Sequence, residues 1–273
     1  MVGWPVAHSR SPAMQNAALE AVGLVDWRYQ LLPIPPELFA ETVAALPAAG
    51  FRGVNVTIPH KGAALALATD PTPRARAIGA ANTLVFEPDG RIVADNTDAP
   101  GLIAALPFSP VGRSALVLGA GGSARAAVWA LLDAGAREVA VWNRTPERAR
   151  ALAAELGERA GATAAAVAGA TAVAVAGAPD ADLLIHCTAS GLDPREDAFK
   201  PLPIDADDLT RYECVVDLVY TETETSLVQA ARARGVRVVD GRELLVRQGA
   251  LSFERLTGLA APIELMRRAV VVR

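Results

Sequence analysis

Lys61 and Asp98 are two residues of the first hundred whose types suit acid–base chemistry. A lysine ammonium can supply a proton and a positive charge to an oxygen that is becoming an alkoxide. Lys61 follows an expected strand over 53–58 and opens an expected helix over 61–69, whose positive end favours the neutral amine. Asp98 would oppose this effect of the helix, because its negative charge favours the charged ammonium form of Lys61. The alternatives are a solvated lysine and an aspartate that caps a helix opening at 97–100, and capping is compatible with a catalytic role.

Four polar segments contain or surround these two residues in a chain that is otherwise rich in alanine. Each segment follows or precedes an apolar stretch, so each is expected at a strand or helix end, where open α/β folds bind their ligands. Their hydroxyl, amide, lysine and aspartate side chains suit a ligand with several hydroxyl groups and one carboxylate. The segments are residues 8–12, 55–61, 81–83 and 95–98.

A glycine-rich turn in the second half predicts a dinucleotide site. An apolar strand-like run over 114–118 precedes the turn, and a helical pattern over 123–134 follows it. Glycines let the backbone approach a pyrophosphate, and the helix N-terminus supplies N–H groups and a positive dipole. A purely structural turn is the alternative, and the strand–turn–helix context argues against it. The residues concerned are Gly119, Ala120, Gly121, Gly122 and Ser123.

A second strand is expected over 139–142, and the residues that follow it predict which dinucleotide is bound. Asn143, Arg144 and Thr145 follow that strand, and Arg148 lies one helical turn further on. An NAD enzyme usually carries a carboxylate here for the ribose 2′-hydroxyl, whereas a guanidinium can bind a 2′-phosphate in bidentate fashion. We therefore predict NADP. The alternative is that both arginines are solvated charges at the start of a helix.

Alternating strands and helices predict an α/β fold with two domains. In the second half the pattern indicates a parallel, doubly wound sheet of the Rossmann type, although it does not define element limits within 151–180. The first hundred residues alternate more weakly and include a hairpin signal over 83–94. A composition break at 106–110 and a helical tail over 242–273 set the domain limits. We expect a substrate domain over 1–106 plus 241–273 and a Rossmann NADP-binding domain over 107–240.

Composition and charge argue against several other classes of protein. Of the 273 residues, 52% are hydrophobic and 21% are charged, which is typical of a globular domain. A net charge of −4 offers no electrostatic basis for binding nucleic acid or an anionic membrane. No N-terminal signal and no apolar span of ~18 residues occurs in the sequence, which favours the cytoplasm. Cys187 and Cys214 lie in apolar runs and are expected as buried thiols, and no metal-ligand spacing joins them to the histidines.

Eight motifs, in order and spacing, resemble the signatures of the shikimate/quinate dehydrogenase family over residues 3–258. They are residues 3–12, 53–61, 79–83, 96–98, 119–123, 143–145, 217–220, and 240–241 with 248–254. The resemblance implies reduction of 3-dehydroshikimate to shikimate, with NADPH giving hydride to the carbonyl carbon, in the chorismate route of aromatic amino acid biosynthesis. It implies a small-molecule substrate. A homodimer stays open, because the sequence does not define an oligomeric state.

The resemblance also implies roles for individual side chains. Lys61 and Asp98 would contact the substrate and form the catalytic pair. The substrate carboxylate would bind Ser9 and Ser11, and the ring hydroxyls would bind Thr57, Asn82, Asp98 and Gln248. Tyr220 would be either a substrate contact or a buried anchor. The cofactor site would comprise the glycine-rich turn, the residues 143–145 with Arg148, and the motifs at Leu218 and Gly241.

Several positions depart from the family pattern. Gln15 and Leu256 stand where the family usually has His and Trp. Leu192 replaces a Met that borders the nicotinamide, and its similar apolar volume should preserve packing. His186 replaces the usual Asn at a strand end, which bears on the local cofactor contacts.

The beginning of the sequence is a further departure. Only Met1 and Val2 precede Gly3, whereas the family usually has a full strand before that glycine. We therefore expect either that the first strand is missing or that the start is internal. A missing strand would reduce burial in the core.

Two other functions compete with the main prediction. The closer one is a quinate or broad quinate/shikimate dehydrogenase that uses NAD, and Arg144 and the serine pair Ser9 and Ser11 argue against it. The other is a non-catalytic regulator that binds NADP or a metabolite on the same fold. The pair of Lys61 and Asp98 argues against a regulator, because a binding module has no need of a proton donor.

Overall fold

The fold is seen in a computed structural model that describes residues 1–160, 171–193, 195 and 197–271. The chain divides into unit 1, Met1–Gly101 with Leu245–Arg273, and unit 2, Leu102–Leu244. Both units are α/β, and the predicted fold class is confirmed. The domain limits expected at 106/107 and 240/241 stay a prediction. Across the described ranges, none of the helices has the length and apolar character needed to cross a membrane.

Strands and helices alternate along both units. The strands are β1 (Val2–Gly3), β2 (Leu32–Pro33), β3 (Gly53–Asn55), β4 (Asp70–Pro71), β5 (Thr83–Phe86), β6 (Ile92–Asp95), β7 (Ser114–Leu118), β8 (Glu138–Trp142), β9 (Thr171–Ala174), β10 (Leu183–His186), β11 (Cys214–Asp217) and β12 (Arg237–Val239). The helices are α1 (Ser11–Ala21), α2 (Phe39–Ala45), α3 (Lys61–Leu67), α4 (Pro73–Ile78), α5 (Asp98–Ala105), α6 (Gly122–Asp133), α7 (Pro146–Ala160), α8 (Ser226–Ala233), α9 (Gly241–Thr257) and α10 (Ile263–Val270). Residues 161–170, within the stretch whose limits the sequence left undefined, lie outside the described residues.

Unit 1 contains a four-stranded sheet of order β3-β5-β6-β4. Strand β5 is antiparallel to both β3 and β6, so the end of β3, the start of β5 and the end of β6 meet at one sheet edge. At that edge Thr83 pairs with Asn55 on one side and with Asp95 on the other. The polar segments that continue from these three residues therefore project from the same edge, while Val54, Leu84 and other apolar side chains form the core of the unit.

The elements around Lys61 are shorter than the sequence pattern predicts. Strand β3 ends at Asn55; the next residue, Val56, donates its N–H to the carbonyl oxygen of Asn82 and bridges to Val2 of β1. Helix α3 ends at Leu67, because the backbone at the next residue is extended. A first strand is present as the two residues of β1, which run parallel to β2 and place Val2 in the core with no exposure.

Unit 2 is built on six parallel strands in the order β12-β11-β10-β7-β8-β9. Residues of β7 alternate between two apolar clusters: Ala115 and Val117 belong to one, and Leu116 and Leu118 to the other. Both faces of the sheet are covered, which explains why its central strands are continuously apolar in sequence. In such a sheet the ligand crevice lies beyond the carboxyl ends of the strands, where the strand order reverses. Here that point lies beside β7.

Candidate active site

Lys61 and Asp98 form a shielded ion pair in unit 1. The Lys61 Nζ atom lies 2.7 Å from Asp98 Oδ2, and the two side chains are 10% and 20% exposed. Lys61 is the first residue of α3 and Asp98 is the first residue of α5. Because Lys61 is buried, the alternative of a freely solvated lysine in a first helical turn is wrong.

The side chain of Asn96, and not that of Asp98, caps helix α5. Asn96 Oδ1 accepts hydrogen bonds from the backbone N–H groups of Asp98 at 3.1 Å and Ala99 at 3.2 Å. Asn96 Nδ2 in turn donates to the carbonyl oxygen of Ala80. The alternative of Asp98 as the helix cap is therefore wrong, and its carboxylate bonds to other groups.

Asn82 holds the second oxygen of that carboxylate. Its Nδ2 donates to Asp98 Oδ1 at 2.8 Å and lies 3.5 Å from Gln248 Oε1. Asn82 Oδ1 accepts from the backbone N–H of Thr97 at 2.8 Å, which fixes the orientation of the amide. Gly101 allows Gln248 to approach α5, because a Cβ atom at Gly101 would lie 2.9 Å from Gln248 Cβ. The structure thus brings four predicted site residues together: Lys61, Asn82, Asp98 and Gln248.

The predicted carboxylate ligands form a hydrogen-bonded pair of their own. Ser9 Oγ lies 3.1 Å from Ser11 Oγ and accepts from the backbone N–H of Ser11 at 3.2 Å. Thr57 is half-buried on the segment that leads to Lys61, and its hydroxyl makes no hydrogen bond to the described residues. Two hydroxyls at a helix start can bind a carboxylate, and the Thr57 hydroxyl is available for a ligand.

In unit 2 the glycine-rich turn lies between β7 and α6. Gly119 has φ +120°, and a Cβ atom there would lie 3.2 Å from the backbone carbonyl of Cys187, so only glycine fits without strain. Gly121 precedes α6 without a capping side chain, and the first turn of the helix has no acidic residue. Space around Gly121 is open, since nothing lies within 4 Å of a Cβ atom built there. The turn therefore fits a phosphate group that accepts from backbone N–H groups.

The residues expected to recognise a 2′-phosphate follow β8. Arg144 and Arg148 are both exposed and form no ion pair with the described residues. Asn143 Nδ2 donates to the carbonyl oxygen of Thr145 at 3.0 Å, which shapes the segment that carries Arg144. Two guanidinium groups without carboxylate partners fit a doubly charged phosphate ester better than a neutral ribose hydroxyl.

The remaining predicted positions lie after β11. The backbone N–H of Leu218 donates to the carbonyl oxygen of His186 at 3.0 Å, and Gly241 packs so closely that a Cβ atom would lie 2.6 Å from the carbonyl oxygen of Val219. Tyr220 is half-buried in unit 2, so its role as anchor or substrate contact stays a prediction.

Sequence reasoning missed several residues that position these groups. Asn96 was included in a polar segment without a role, although its place two residues before a helix start is a capping signal. His60 is buried, with Nε2 at 2.7 Å from the carbonyl oxygen of Ile34, and its ring stacks on Phe39. Only the distance between His186 Nδ1 and Asp217 Oδ1, 2.8 Å, reveals that these two residues form a buried pair.

The cysteines are not metal ligands or disulfide partners among the described residues. Burial raises the pKa of the Cys214 thiol to about 11, so this thiol is inert near neutral pH. Cys187 is only partly buried, which differs from the expectation that both thiols are buried.

Comparison with known proteins gives matches along nearly the whole chain. Three family profiles match: the shikimate dehydrogenase substrate binding domain over 1–84, shikimate / quinate 5-dehydrogenase over 105–192, and the shikimate 5′-dehydrogenase C-terminal domain over 241–271. The shikimate dehydrogenase (NADP(+)) of Methylobacterium radiotolerans is 46% identical over 94% of this chain and 90% of its own length.

Solved structures give the same result. The shikimate 5-dehydrogenase of Thermus thermophilus, solved with NADP(H) and shikimate, has a TM-score of 0.80 and 40% identity over 98% of this chain and 96% of its own. A 5-ketofructose reductase of Gluconobacter sp. strain CHM43 has a TM-score of 0.83 and 30% identity over 98% of this chain and 95% of its own.

The two α/β units, the glycine-rich turn and the Lys–Asp pair define a dinucleotide-dependent oxidoreductase. The identity to curated relatives extends over almost all of the sequence. The chain belongs to the shikimate dehydrogenase family.

Proposed function

We propose that this chain catalyses the reversible, NADPH-dependent reduction of 3-dehydroshikimate to shikimate, in the chorismate route to the aromatic amino acids. The observation that carries the proposal is the ion pair of Lys61 and Asp98, 2.7 Å apart, with the amides of Asn82 and Gln248 beside it. A proton donor surrounded by hydrogen-bonding groups suits a ketone on a ring that carries hydroxyls. The residues of this site match the motifs of the family to which the chain belongs.

The substrate is held by groups of unit 1 in this proposal. Ser9 and Ser11 bind the carboxylate, and Thr57, Asn82 and Gln248 bind the ring hydroxyls together with Asp98. The hydroxyl of Thr57 is available for such a bond, while Asn82 is already fixed by its contact with the backbone of Thr97. Tyr220, which belongs to unit 2, stays open as either a substrate contact or a buried anchor. Pre-oriented hydrogen-bonding groups lower the cost of ordering a polar ligand.

Lys61 supplies the proton in the reducing direction. The carboxylate of Asp98 lies 2.7 Å from the ammonium of Lys61 and orients it, and that ammonium donates a proton as the carbonyl oxygen becomes an alkoxide. In the oxidising direction the neutral amine of Lys61 takes the hydroxyl proton, and Asp98 stabilises the ammonium that forms. Asn82 keeps the carboxylate from rotating away from Lys61.

NADP is bound by residues of unit 2. The backbone of Gly119, Ala120, Gly121, Gly122 and Ser123 holds the pyrophosphate, and Asn143, Arg144, Thr145 and Arg148 hold the adenosine 2′-phosphate. Leu218 and Gly241 complete the cofactor site. When bound, NADPH supplies the hydride that reduces the carbonyl carbon. The fit is supported by the open space at Gly121 and by the two arginines without ion-pair partners among the described residues.

We also propose the domain limits and the compartment that the sequence predicts. Residues 1–106 with 241–273 bind the substrate, and residues 107–240 bind NADP. The cytoplasm is proposed because Cys187 and Cys214 form no disulfide, which fits a reducing compartment. A homodimer stays open, and sedimentation velocity of the purified chain at micromolar concentration tests it.

Turnover with paired substrates and cofactors tests the proposed function. Absorbance of NADPH or NADH is followed with shikimate and with quinate, each with NADP and with NAD, and with 5-ketofructose plus NADPH. We expect rapid turnover only with shikimate and NADP. Faster oxidation of quinate would make quinate the assigned substrate, and reduction of 5-ketofructose would make that ketone the assigned substrate. A folded chain that binds NADPH but turns over none of these would support the non-catalytic regulator.

A further inference from the structure

A buried hydrogen-bonded chain in unit 2 connects β10, β11 and the loop that follows β10. His186 and Asp217 end adjacent parallel strands, lie opposite each other, and have side chains with 0% exposure. His186 Nδ1 lies 2.8 Å from Asp217 Oδ1, and His186 Nε2 lies 2.6 Å from Thr188 Oγ1. Thr188 Oγ1 accepts from the backbone N–H of Ser190 at 3.1 Å. His186 thus joins a buried carboxylate to the backbone of the loop.

The carboxylate of Asp217 determines which nitrogen of His186 carries the proton that faces it. Its Oδ1 also accepts from the backbone N–H of Val219 at 3.0 Å, and its Oδ2 accepts from Thr225 Oγ1 at 2.6 Å. A carboxylate can only accept, so His186 Nδ1 carries the proton that faces it. In the neutral ring Nε2 then accepts from the Thr188 hydroxyl. Every member of the chain has a partner, and a fully satisfied buried network makes its surroundings rigid.

The far end of the same loop is held independently. Ser190 Oγ donates to the carbonyl oxygen of Ala198 at 2.6 Å. Gly191 has φ +83°, and a Cβ atom there would lie 3.2 Å from Ala198 Cβ, so this end is closely packed. The near end is held by the backbone N–H of Cys187, which donates to the carbonyl oxygen of Leu118, and by the Thr188 hydroxyl, which bonds to His186.

The loop 187–192 lies on the side of the sheet where the nicotinamide half of the cofactor is expected. Strand β10 lies on one side of β7 and β8 lies on the other. The backbone of Cys187, which begins the loop, lies against Gly119 of the glycine-rich turn. With the 2′-phosphate at Arg144 after β8 and the pyrophosphate at the turn after β7, the nicotinamide half extends over the end of β10.

We propose that His186 is a positioning residue for the nicotinamide half of NADP, acting through Thr188 on the loop 187–192. The inference rests on the proposed function, because it takes the chain to bind NADP at the carboxyl ends of these strands. His186 is fully buried, so its effect on the cofactor passes through the Thr188 hydroxyl and the loop backbone. The acidic partner Asp217 holds the ring in the tautomer that accepts from Thr188.

Thr188→Val tests this with little change of shape, since it removes the hydroxyl and keeps the branched side chain. We expect the Kd for NADPH, measured by nicotinamide fluorescence, to rise about tenfold, because the variant loses the part-buried hydrogen bonds of the Thr188 hydroxyl with His186 and Ser190. Binding of 2′,5′-ADP, which lacks the nicotinamide half, should stay at the wild-type value. Thr188→Ser restores the hydroxyl and should restore the wild-type Kd for NADPH.

Two further variants separate positioning from a merely structural role. Thr210→Val is the matched control, because the Thr210 hydroxyl is exposed and donates only to the carbonyl oxygen of Asp207. His186→Phe combined with Thr188→Val should weaken NADPH binding no more than His186→Phe alone, because both changes break the same chain. Urea titration of each variant sets conditions under which it is folded, so the Kd refers to folded protein.

The outcomes distinguish this inference from the proposed function. An unchanged Kd for NADPH in Thr188→Val, or an equal weakening of 2′,5′-ADP, would overturn the role of His186. A wild-type chain that binds NADPH tightly but does not oxidise shikimate would contradict the proposed function alone. A folded wild-type chain that binds no NADPH would overturn both.

Discussion

At the scale of single residues, the candidate site is one ion pair whose geometry is fixed by amides. Lys61 and Asp98 are shielded from solvent, and a shielded pair interacts more strongly than an exposed one. Asn82 occupies the carboxylate oxygen that Lys61 does not contact. The amide thereby restricts rotation of the carboxylate and so fixes the group that orients the Lys61 ammonium.

Lys61→Met keeps the length of the side chain and removes the proton donor. We expect kcat for shikimate oxidation to fall about 10²- to 10⁴-fold, the usual contribution of a general acid or base. Shikimate binding, measured by calorimetry, should be reduced much less. Lys200→Met is the matched control, since Lys200 is exposed and is the only other lysine of the sequence. An unchanged kcat in Lys61→Met would contradict the assignment of Lys61 as the proton donor.

Arg144→Ser removes the guanidinium that we assign to the 2′-phosphate. The ratio of kcat/KM with NADP to that with NAD should fall about 10- to 100-fold, because a charge-assisted hydrogen bond contributes about 1.5–3 kcal/mol. Arg150→Ser, on the exposed side of α7, should leave the ratio unchanged. Equal ratios in wild type and Arg144→Ser would instead favour a solvated arginine.

At the scale of elements, strand ends decide which side chains meet. Lys61 and Asp98 are 37 residues apart in sequence, and they meet because β3 and β6 both pair with β5 and end at the same edge. In unit 2, adjacent parallel strands place His186 and Asp217 opposite each other by register alone. Strand starts are fixed in a similar way, since Asp182 just before β10 bonds to Ser114 at the start of β7.

Acid should weaken the hydrogen bonds from Ser114 to Asp182, which join the starts of β7 and β10. Asp182 Oδ2 accepts from the backbone N–H of Ser114 at 2.7 Å, and this bond holds the pKa of the Asp182 carboxyl below its usual range. A lowered folded-state pKa gives stability that is present above the unfolded value of about 4 and is lost as pH falls through the folded pKa. The difference in free energy of unfolding between wild type and Asp182→Asn, from urea titrations, should therefore shrink from about pH 7 to about pH 3.

Thr210→Val serves as the control for that experiment. It introduces and removes no titratable group, so its difference from wild type should be the same at both pH values. If the difference in free energy of unfolding between wild type and Asp182→Asn does not vary with pH, the charge of Asp182 contributes nothing to stability.

At the scale of the whole molecule, the two halves of the chemistry belong to different units. Unit 1 carries the acid–base pair and the predicted carboxylate ligands, and unit 2 carries the glycine-rich turn and the arginines. Each unit has its own sheet and its own apolar core. Each ligand should therefore stabilise its own unit first.

Hydrogen exchange with each ligand alone tests this division. Saturating shikimate should slow exchange of amides over 56–61 and 96–101, and saturating NADP should slow exchange over 119–123 and 143–145. The unliganded chain is the reference, and NAD at the same concentration controls for the 2′-phosphate. Shikimate that protects only the glycine-rich turn would contradict the assignment of the substrate to unit 1.

By itself, the sequence determined the features that depend on contiguous residues. The strand–turn–helix around Gly119, the parallel sheet of unit 2 and the hairpin of β5 and β6 follow from local periodicity and turn chemistry. The motifs were also sufficient to recognise the family and its cofactor. These signals are local, since each is carried by residues close together in the chain.

Only the tertiary structure decided which distant groups share a hydrogen bond. It assigned the cap of α5 to Asn96 and left Asp98 for Lys61 and Asn82, and it paired His186 with Asp217. It also placed Val56, which the sequence assigns to the third strand, in a bridge with Val2 of β1. The physical reason is that a polar side chain has several satisfactory partners in principle, and strand order and register determine which one lies within hydrogen-bonding distance.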